Sequence, residues 1–279
     1  MPMYTTTPGA SALLPETIHR LLVLPTLAQS IAAQVATVVN VSTKTFRVPR
    51  VLTDPTASFV FEGSEIAPSD AVLDEVIVTP AKAAGLTILS RELAEDSSPE
   101  AAAVVGEGLA RDISKRVDAA FFGDLAAPAP AGLGSLVGFT DGGTAATGAD
   151  VLDALLEATY TAETVGANLN VFVTSPETAS SLATVKMAAG SVVNVLSPDP
   201  KLPTQRMVAG IPMLVSAAVE PGVVWGIDTS RTYLVVRDDA TIETDRSVFF
   251  TSDRVAVKAT MRVGFAFAHA ASVIKITAS

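Results

Sequence analysis

Near the C-terminus the chain alternates apolar and polar residues over more than a dozen positions. Val255, Val257, Ala259, Met261, Val263, Phe265 and Phe267 fall on one face, and Arg254, Lys258, Thr260 and Arg262 on the other. A period of two over that length predicts a long, half-buried β-strand, with SVIKIT adding a paired one. The period changes upstream. Between 97 and 122, Val105, Leu109, Ile113, Val117 and Phe121 recur every fourth residue, which predicts an amphipathic helix. Ser98 is placed to cap it, with Pro99 at the first helical position and Glu100 in the first turn. Glu107–Arg111 and Asp112–Arg116 stand at i,i+4 in the favourable order.

Residues 45–89 read as two strand-forming limbs around a turn-rich tip. TFRVPRVL leads out, ASFVFEGSEIAPSD forms the tip, and LDEVIVTPAKAAGLTIL leads back. Limbs of about 15–20 residues would reach roughly 50–65 Å at strand rise. A two-stranded hairpin is marginal alone in water, so this segment is expected to find its stability on a partner.

The Gly/Pro/Ala-rich stretch 123–149 is a connector. After it helices and strands alternate: a helix from Asp150 to about Val165, the strand NVFVTS, a helix opened by Ser175-Pro176-Glu177 and running to Gly190, then the strands MVAGIPMLVSAAV, VVWGI and TYLVVRD. That is the pattern of a compact α/β module. The leader 1–44 contains an uncharged run, 21–43, long enough to span a bilayer. Pro25, Gln29, Ser30, Gln34 and Asn40 interrupt it, and no signal-peptide features accompany it. An arm or helix lying on a protein surface, without a membrane, is the expectation.

Composition sharpens the picture. Of 279 residues, 49% are hydrophobic and only 17% charged, so apolar surface is expected to be covered by partners rather than by charge. A well-packed monomer rich in Ala and Val is the plainer alternative. The net charge is −10, but residues 1–50 carry +3, with Arg20, Lys44, Arg47 and Arg50 against Glu16, leaving −13 for the remainder. A sequence-specific reader of nucleic acid needs a basic footprint; a container for DNA does not. The absence of cysteine removes disulfides, thiolate metal sites and cysteine nucleophiles together. His19 and His269 are too far apart in sequence to supply metal-ligand spacing.

Catalytic signatures are lacking. There is no nucleophile elbow, P-loop, zinc-protease helix or calcium loop. GLGSLVG, with Gly132, Gly134 and Gly138, follows APAPA rather than the strand a dinucleotide loop requires, and reads as a turn. Asp238-Asp239 and Glu243/Asp245 lie beside Arg237 and Arg246 and read as a solvated loop; His269 reads as a satisfied structural histidine. No nucleophile, base and orienter come together. The expectation is therefore no enzyme, with no catalytic, cofactor-binding or metal-binding residues. A soluble α/β enzyme working as a small oligomer is the rival from another class.

Charge at the tip has one sign. Asp54, Glu62, Glu65, Asp70, Asp74 and Glu75 lie between 51 and 80 with no Lys or Arg. The plain reading is a solvated acidic loop. The sharper one is an arm that docks on a basic strip of the next subunit, charge setting register. Its contact residues would be Phe59, Phe61, Glu62, Glu65 and Asp70. The basic partners would come from Arg111, Lys115, Arg116, Arg254, Lys258 and Arg262.

The order of these elements, with EGSEIAPSD, VIVTPAKAAGLTILSREL, FFGD, Ala131-Gly132-Leu133, Gly210-Ile211-Pro212 and DRVAVKATMRVGFAFAHAASVIKIT, resembles the major capsid proteins of tailed bacteriophages. These have the Hong Kong 97 fold, shared with encapsulins. The resemblance implies an α+β fold with an N-terminal arm (1–44), an extended loop (45–89), and a peripheral domain (90–148 and 236–279) with a spine helix at 98–122. Residues 149–235 would form the axial domain. It implies a virion structural protein, assembled in the host cytoplasm into hexamers and pentamers of an icosahedral shell. That shell would enclose double-stranded DNA without sequence-specific binding. A portal protein is implied as partner, and a decoration protein is an option. Family members often begin with a cleaved scaffolding segment of about a hundred residues. None precedes this arm, so a separate scaffolding protein is expected. Some members cross-link a loop lysine to a neighbour's asparagine. With no Lys from 51 to 81 and no Asn from 195 onward, no covalent chainmail is expected. The alternative within the fold is an encapsulin-type compartment packaging enzyme cargo.

Overall fold

The computed structural model describes residues 30–90, 99–145, 148–185, 206–245, 247–252 and 254–278. The C-terminal alternation forms β11 (Arg254–Phe267), the centre of the peripheral layer. On one side it pairs antiparallel with β10 (Thr232–Asp245), on the other with β4 (Ala81–Ser90). β1 (Thr37–Val41) adds parallel to β10, giving the order β1-β10-β11-β4. From Ala259 to Phe267 the odd-numbered residues of β11 share a core with α2 (Pro99–Phe122). Ile113, Val117 and Phe121 of the helix stripe pack with Ala259, Met261, Val263 and Phe265, and Phe121 meets Phe265 edge-on, centroids 5.1 Å apart. Gly85 admits this approach, because a Cβ there would overlap the Leu109 side chain. The expected Ser98 cap lies outside the described residues.

A second sheet runs in the order β5 (Thr140–Ala145), β12 (Ile274–Ala278), β9 (Val223–Ile227), β6 (Val171–Thr174), β8 (Ile211–Val215), β7 (Met207–Val208). β6 and β9 are buried at every residue, as central strands covered on both faces should be. One face shares the core of α2 through Val171, Val173, Val223 and Trp225. The other is covered by α3 (Gly148–Thr164) and α4 (Pro176–Ala183), which bury Leu155 and Leu182 over Phe172, Val224 and Ile274. Ser175 caps α4 as its sequence suggested, its Oγ accepting from the Thr178 N–H at 3.2 Å. Helix α4 ends at Ala183, short of Gly190, and residues 186–205 lie outside the described set.

Several expectations are corrected. SVIKIT does not pair with β11: a 3-10 turn at Ala270–Ser272 carries β12 into the other sheet, between β5 and β9. The acidic run after Arg237 is not a loop. β10 continues to Asp245 past a register shift between Arg237 and Thr241, and Glu243 pairs with Lys258 at 2.5 Å. His269 is not satisfied, since its Nδ1 is buried without a hydrogen-bond partner among the described residues. Leader residues 30–41 do not lie on a foreign surface. α1 (Ile31–Val35) buries Ala32 and Val35 in the chain's own core, and β1 completes its own sheet. Residues 1–29 are outside the described set.

α1 is held by one side chain of α2. Buried Asp118 accepts from Ser30 Oγ at 2.6 Å, from Ala32 N–H at 2.9 Å and from Ile31 N–H at 3.2 Å. The Ile31 and Ala32 N–H groups are orphan donors at a helix start, which this carboxylate satisfies.

Candidate assembly interface

The hairpin is shorter than its sequence suggested, and it splits. β2 (Phe46–Thr53) pairs antiparallel with β3 (Val72–Val78). After Pro80, which has no N–H to give a ladder, the returning limb leaves its partner as β4 and joins β11. The root is seated on the body. Val48 and Val78 pack with Val235 and Ala266 on the sheet face opposite α2, and Gly264 leaves room for Val78 and Pro80. Beyond the root the chain leaves its own protein. Residues 54–71 carry no strand, apart from a turn at Gly63 (φ 81°) where Ser64 N–H reaches the Phe61 carbonyl at 3.0 Å.

Every residue from 51 to 73 is exposed. Phe59 and Phe61 stand at 109% and 90% of full exposure, and Ile66 at 72%. Burying such a side chain stabilises by about 1.5–3 kcal/mol, so this tip forgoes a large stabilisation for want of its own core. Its charge is also redistributed. Arg50 pairs with Asp74 directly across the ladder at 2.5 Å, and Arg47 with Glu75 on the diagonal at 2.9 Å. The Arg50 guanidinium holds the Asp74 carboxyl below its usual range. Two of the six acids therefore belong to the stem. Asp54, Glu62, Glu65 and Asp70 at the tip make no ion pair among the described residues.

The six basic candidates divide between two faces. Arg111, Lys115 and Arg116 are exposed on α2, while its opposite stripe is buried on the sheet. Arg254, Lys258 and Arg262 lie on the other side of that sheet, in the even register of β11 that also carries Gly264 and Ala266 against the hairpin root. No single arm lying along one face can meet all six. Arg254 lies over the Phe249 ring at 5.5 Å. Residues the charge count passed over stand beside the second group: Lys82 is opposite Arg262, Leu86 opposite Lys258 and Ile88 opposite Ala256. The alternation in AKAAGLTIL was the available signal, but it acquires a face only once β4 is known to pair with β11.

Among the described residues no cluster of His, Asp and Glu could hold a metal ion, and no helix is long and apolar enough to cross a membrane. Gly132 and Gly134 pack against backbone at the end of α2, with Gly134 N–H donating to the Gly123 carbonyl at 3.2 Å. They close the helix and form no phosphate cradle.

Solved structures with this architecture include bacteriophage chains and the capsid of a GTA particle. That of Mycobacterium phage Adephagia superposes with a TM-score of 0.75 at 18% identity, covering 90% of each chain. The capsid of a native GTA particle gives 0.72 at 21%, covering 88% of this chain and 89% of the other. Microbacterium phage Oxtober96 gives 0.73 at 18%, covering 90% and 91%. The fold is thus the α+β capsid fold. No curated protein matches the sequence itself. The chain belongs to the phage capsid family, whose model matches residues 10–278. It is a structural, not an enzymatic, protein of the bacteriophage capsid.

Proposed function

We propose that this protein is the major shell protomer, assembling into hexamers and pentamers that close into an icosahedral particle around double-stranded DNA. The observation that carries this reading is the tip at 54–71. Phe59 and Phe61 are displayed on a segment that is exposed at every residue. A large apolar group held in water at the end of a seated stem fits a contact completed by a neighbouring copy. Head-to-tail contacts of this kind close into rings, and a tip without a core of its own can adapt to rings of two sizes. Glu62, Glu65 and Asp70 give the contact a register by charge. The loop that leaves the body at β2 and returns at β4, the 149–235 axial domain and the surrounding peripheral domain are parts of the same proposal. So are a portal protein at one vertex, a separate scaffolding protein, an optional decoration protein, and assembly in the host cytoplasm. The net charge of −10 suits a wall that holds DNA without adhering to it.

The test reverses charge at the tip. Glu62→Lys with Glu65→Lys should leave the protomer's circular dichroism unchanged and cut particle yield at least tenfold by negative-stain microscopy. Wild-type yield would refute docking by the tip. Wild-type particles assembled with DNA should protect it from nuclease; digestion at the rate of free DNA would refute enclosure.

A further inference from the structure

We infer that His269 is a proton-operated latch on the hairpin: with a neutral imidazole the stem is seated on the body, and a proton taken up there loosens the seat. The latch belongs to the single protomer and does not depend on what the tip meets.

His269 stands where the two sheets are joined. The turn Asp228–Arg231 carries β9 of one sheet into β10 of the other, and the turn at Ala270–Ser272 carries β11 into β12. The Ala268 N–H donates to the Arg231 carbonyl at 2.9 Å and ties one crossing to the other. The hairpin root meets the same place, since Ala268 and Tyr233 pack with Phe46, Val48 and Val78. Arg50, two residues beyond Val48, shares that inward face of the stem. A change of charge at His269 therefore acts on both crossings and on the stem together.

The surroundings suit a neutral ring. His269 Nδ1 is buried with no hydrogen-bond partner among the described residues. A neutral ring protonated at Nε2 leaves only a lone pair there, whereas the imidazolium would bury an N–H without an acceptor. The neighbouring charges point the same way. Arg50 of the stem and Arg231 of the turn are cations, and the acids beside them are already engaged. Asp74 pairs with Arg50. Asp228 accepts from Ser230 N–H at 3.0 Å, Ser230 Oγ at 2.6 Å and Asn168 N–H at 3.3 Å, and pairs with Arg231 at 3.5 Å. Other elements at this place bring no charge. Gly138 of the connector lies against Ala270 and Thr37 of β1 against Thr229, and 131–140, 37–41 and 270–274 are uncharged. Tyr233, the titratable side chain of the root cluster, gains no charge on acidification. Burial, then Arg231 and Arg50, against Asp228, hold the imidazole below its ordinary 6.5. The side chain is only half-buried, so water can deliver the proton. Once charged, it makes a third cation, which is relieved when Arg50 and the stem lift from the root. The seated stem has the lower pKa and the lifted stem the ordinary one, so lifting is favoured as the pH falls from about 6.5 through the lower value. One group of this kind shifts that equilibrium by at most about thirtyfold at about pH 5.

Hydrogen–deuterium exchange of the full-length protomer at about pH 7.5 and about pH 5, corrected for the intrinsic pH dependence of amide exchange, tests the latch. Protection of stem amides 46–50 and 74–78 should fall at least threefold on acidification, while β6 and β9 keep theirs. In His269→Gln, which has no imidazole to protonate, stem protection should stay constant. If that variant does not fold, His269→Phe replaces it. An equal fall in the variant, no fall in the wild type, or a matching fall in β6 and β9 overturns the latch. The imidazole itself gives a second reading. The chain has two histidines, His19 and His269, so the resonance missing from the variant is that of His269. Its titration midpoint should lie below 6.5 and coincide with the loss of stem protection. A midpoint at or above that value overturns the assignment.

Discussion

The six-stranded sheet and the hairpin tip are both rich in apolar residues, and they use them in opposite ways. In the sheet, Phe172 is fully buried between two helices and a neighbouring strand. Eighteen residues at the tip, 54–71, are all exposed, and Phe61 faces water. One region is stabilised by its own chain. The other has side chains of the same kind with no interior to enter, so it takes shape only where another surface supplies one. The stem between them is the transition: Val48 and Val78 are buried on Ala266, while Val51 and Leu73, a few residues further out, are exposed.

The comparison predicts opposite responses to the same substitution. Phe172→Ala should cost the free protomer about 3–5 kcal/mol in denaturant unfolding, enough to threaten its folding. Phe61→Ala should change that value by less than about 0.5 kcal/mol yet sharply reduce particle yield. A large stability loss from Phe61→Ala in the protomer would break the contrast. A smaller effect is expected where the leader meets the body. Asp118→Ala leaves the buried donors of Ser30, Ile31 and Ala32 unpaired, at about 1–3 kcal/mol. It should speed amide exchange at Ile31 and Ala32 while β11 stays protected.

The smallest effect depends on pH at the hairpin root. Burial lowers the pKa of His269 below its ordinary 6.5, and the nearby charges of Arg231 and Arg50 add to this against the opposing pull of Asp228. The folded state therefore disfavours the imidazolium. Its contribution is fully present above about pH 6.5 and is lost as the pH falls through the lower folded value. Protomer stability should decline modestly on acidification through that window, and His269→Gln should flatten the decline. An unchanged slope in the variant would remove His269 from the account.

Local pattern carried much of this fold into view. β11 was legible because seven apolar residues at period two admit one structure. The helix through Phe121 was legible from its i,i+4 stripe, and α4 from Ser175-Pro176. What stayed hidden was pairing at long range. Residues 37–41 look like any short apolar run until they meet β10, almost two hundred residues away. Nothing local says that β12 leaves β11 for β9. Pro80 did mark the point where the hairpin divides, but its weight is visible only beside the ladder it ends. At the interface, the exposed phenylalanines and carboxylates of the tip could be singled out from sequence. The candidate cations could be named too, but not divided into two groups, because which charges share a face depends on the register of β4 against β11. Counting charges in 51–80 likewise hid that Asp74 and Glu75 answer Arg50 and Arg47 across the stem.

Hydrogen–deuterium exchange of residues 54–71, compared between free protomer and assembled particle, tests the central claim most directly. Amides of the tip should exchange at nearly unprotected rates in the protomer and slow at least tenfold in the particle, while β6 and β9 remain protected in both. Tip amides already protected in the protomer, or equally fast in both states, would contradict it.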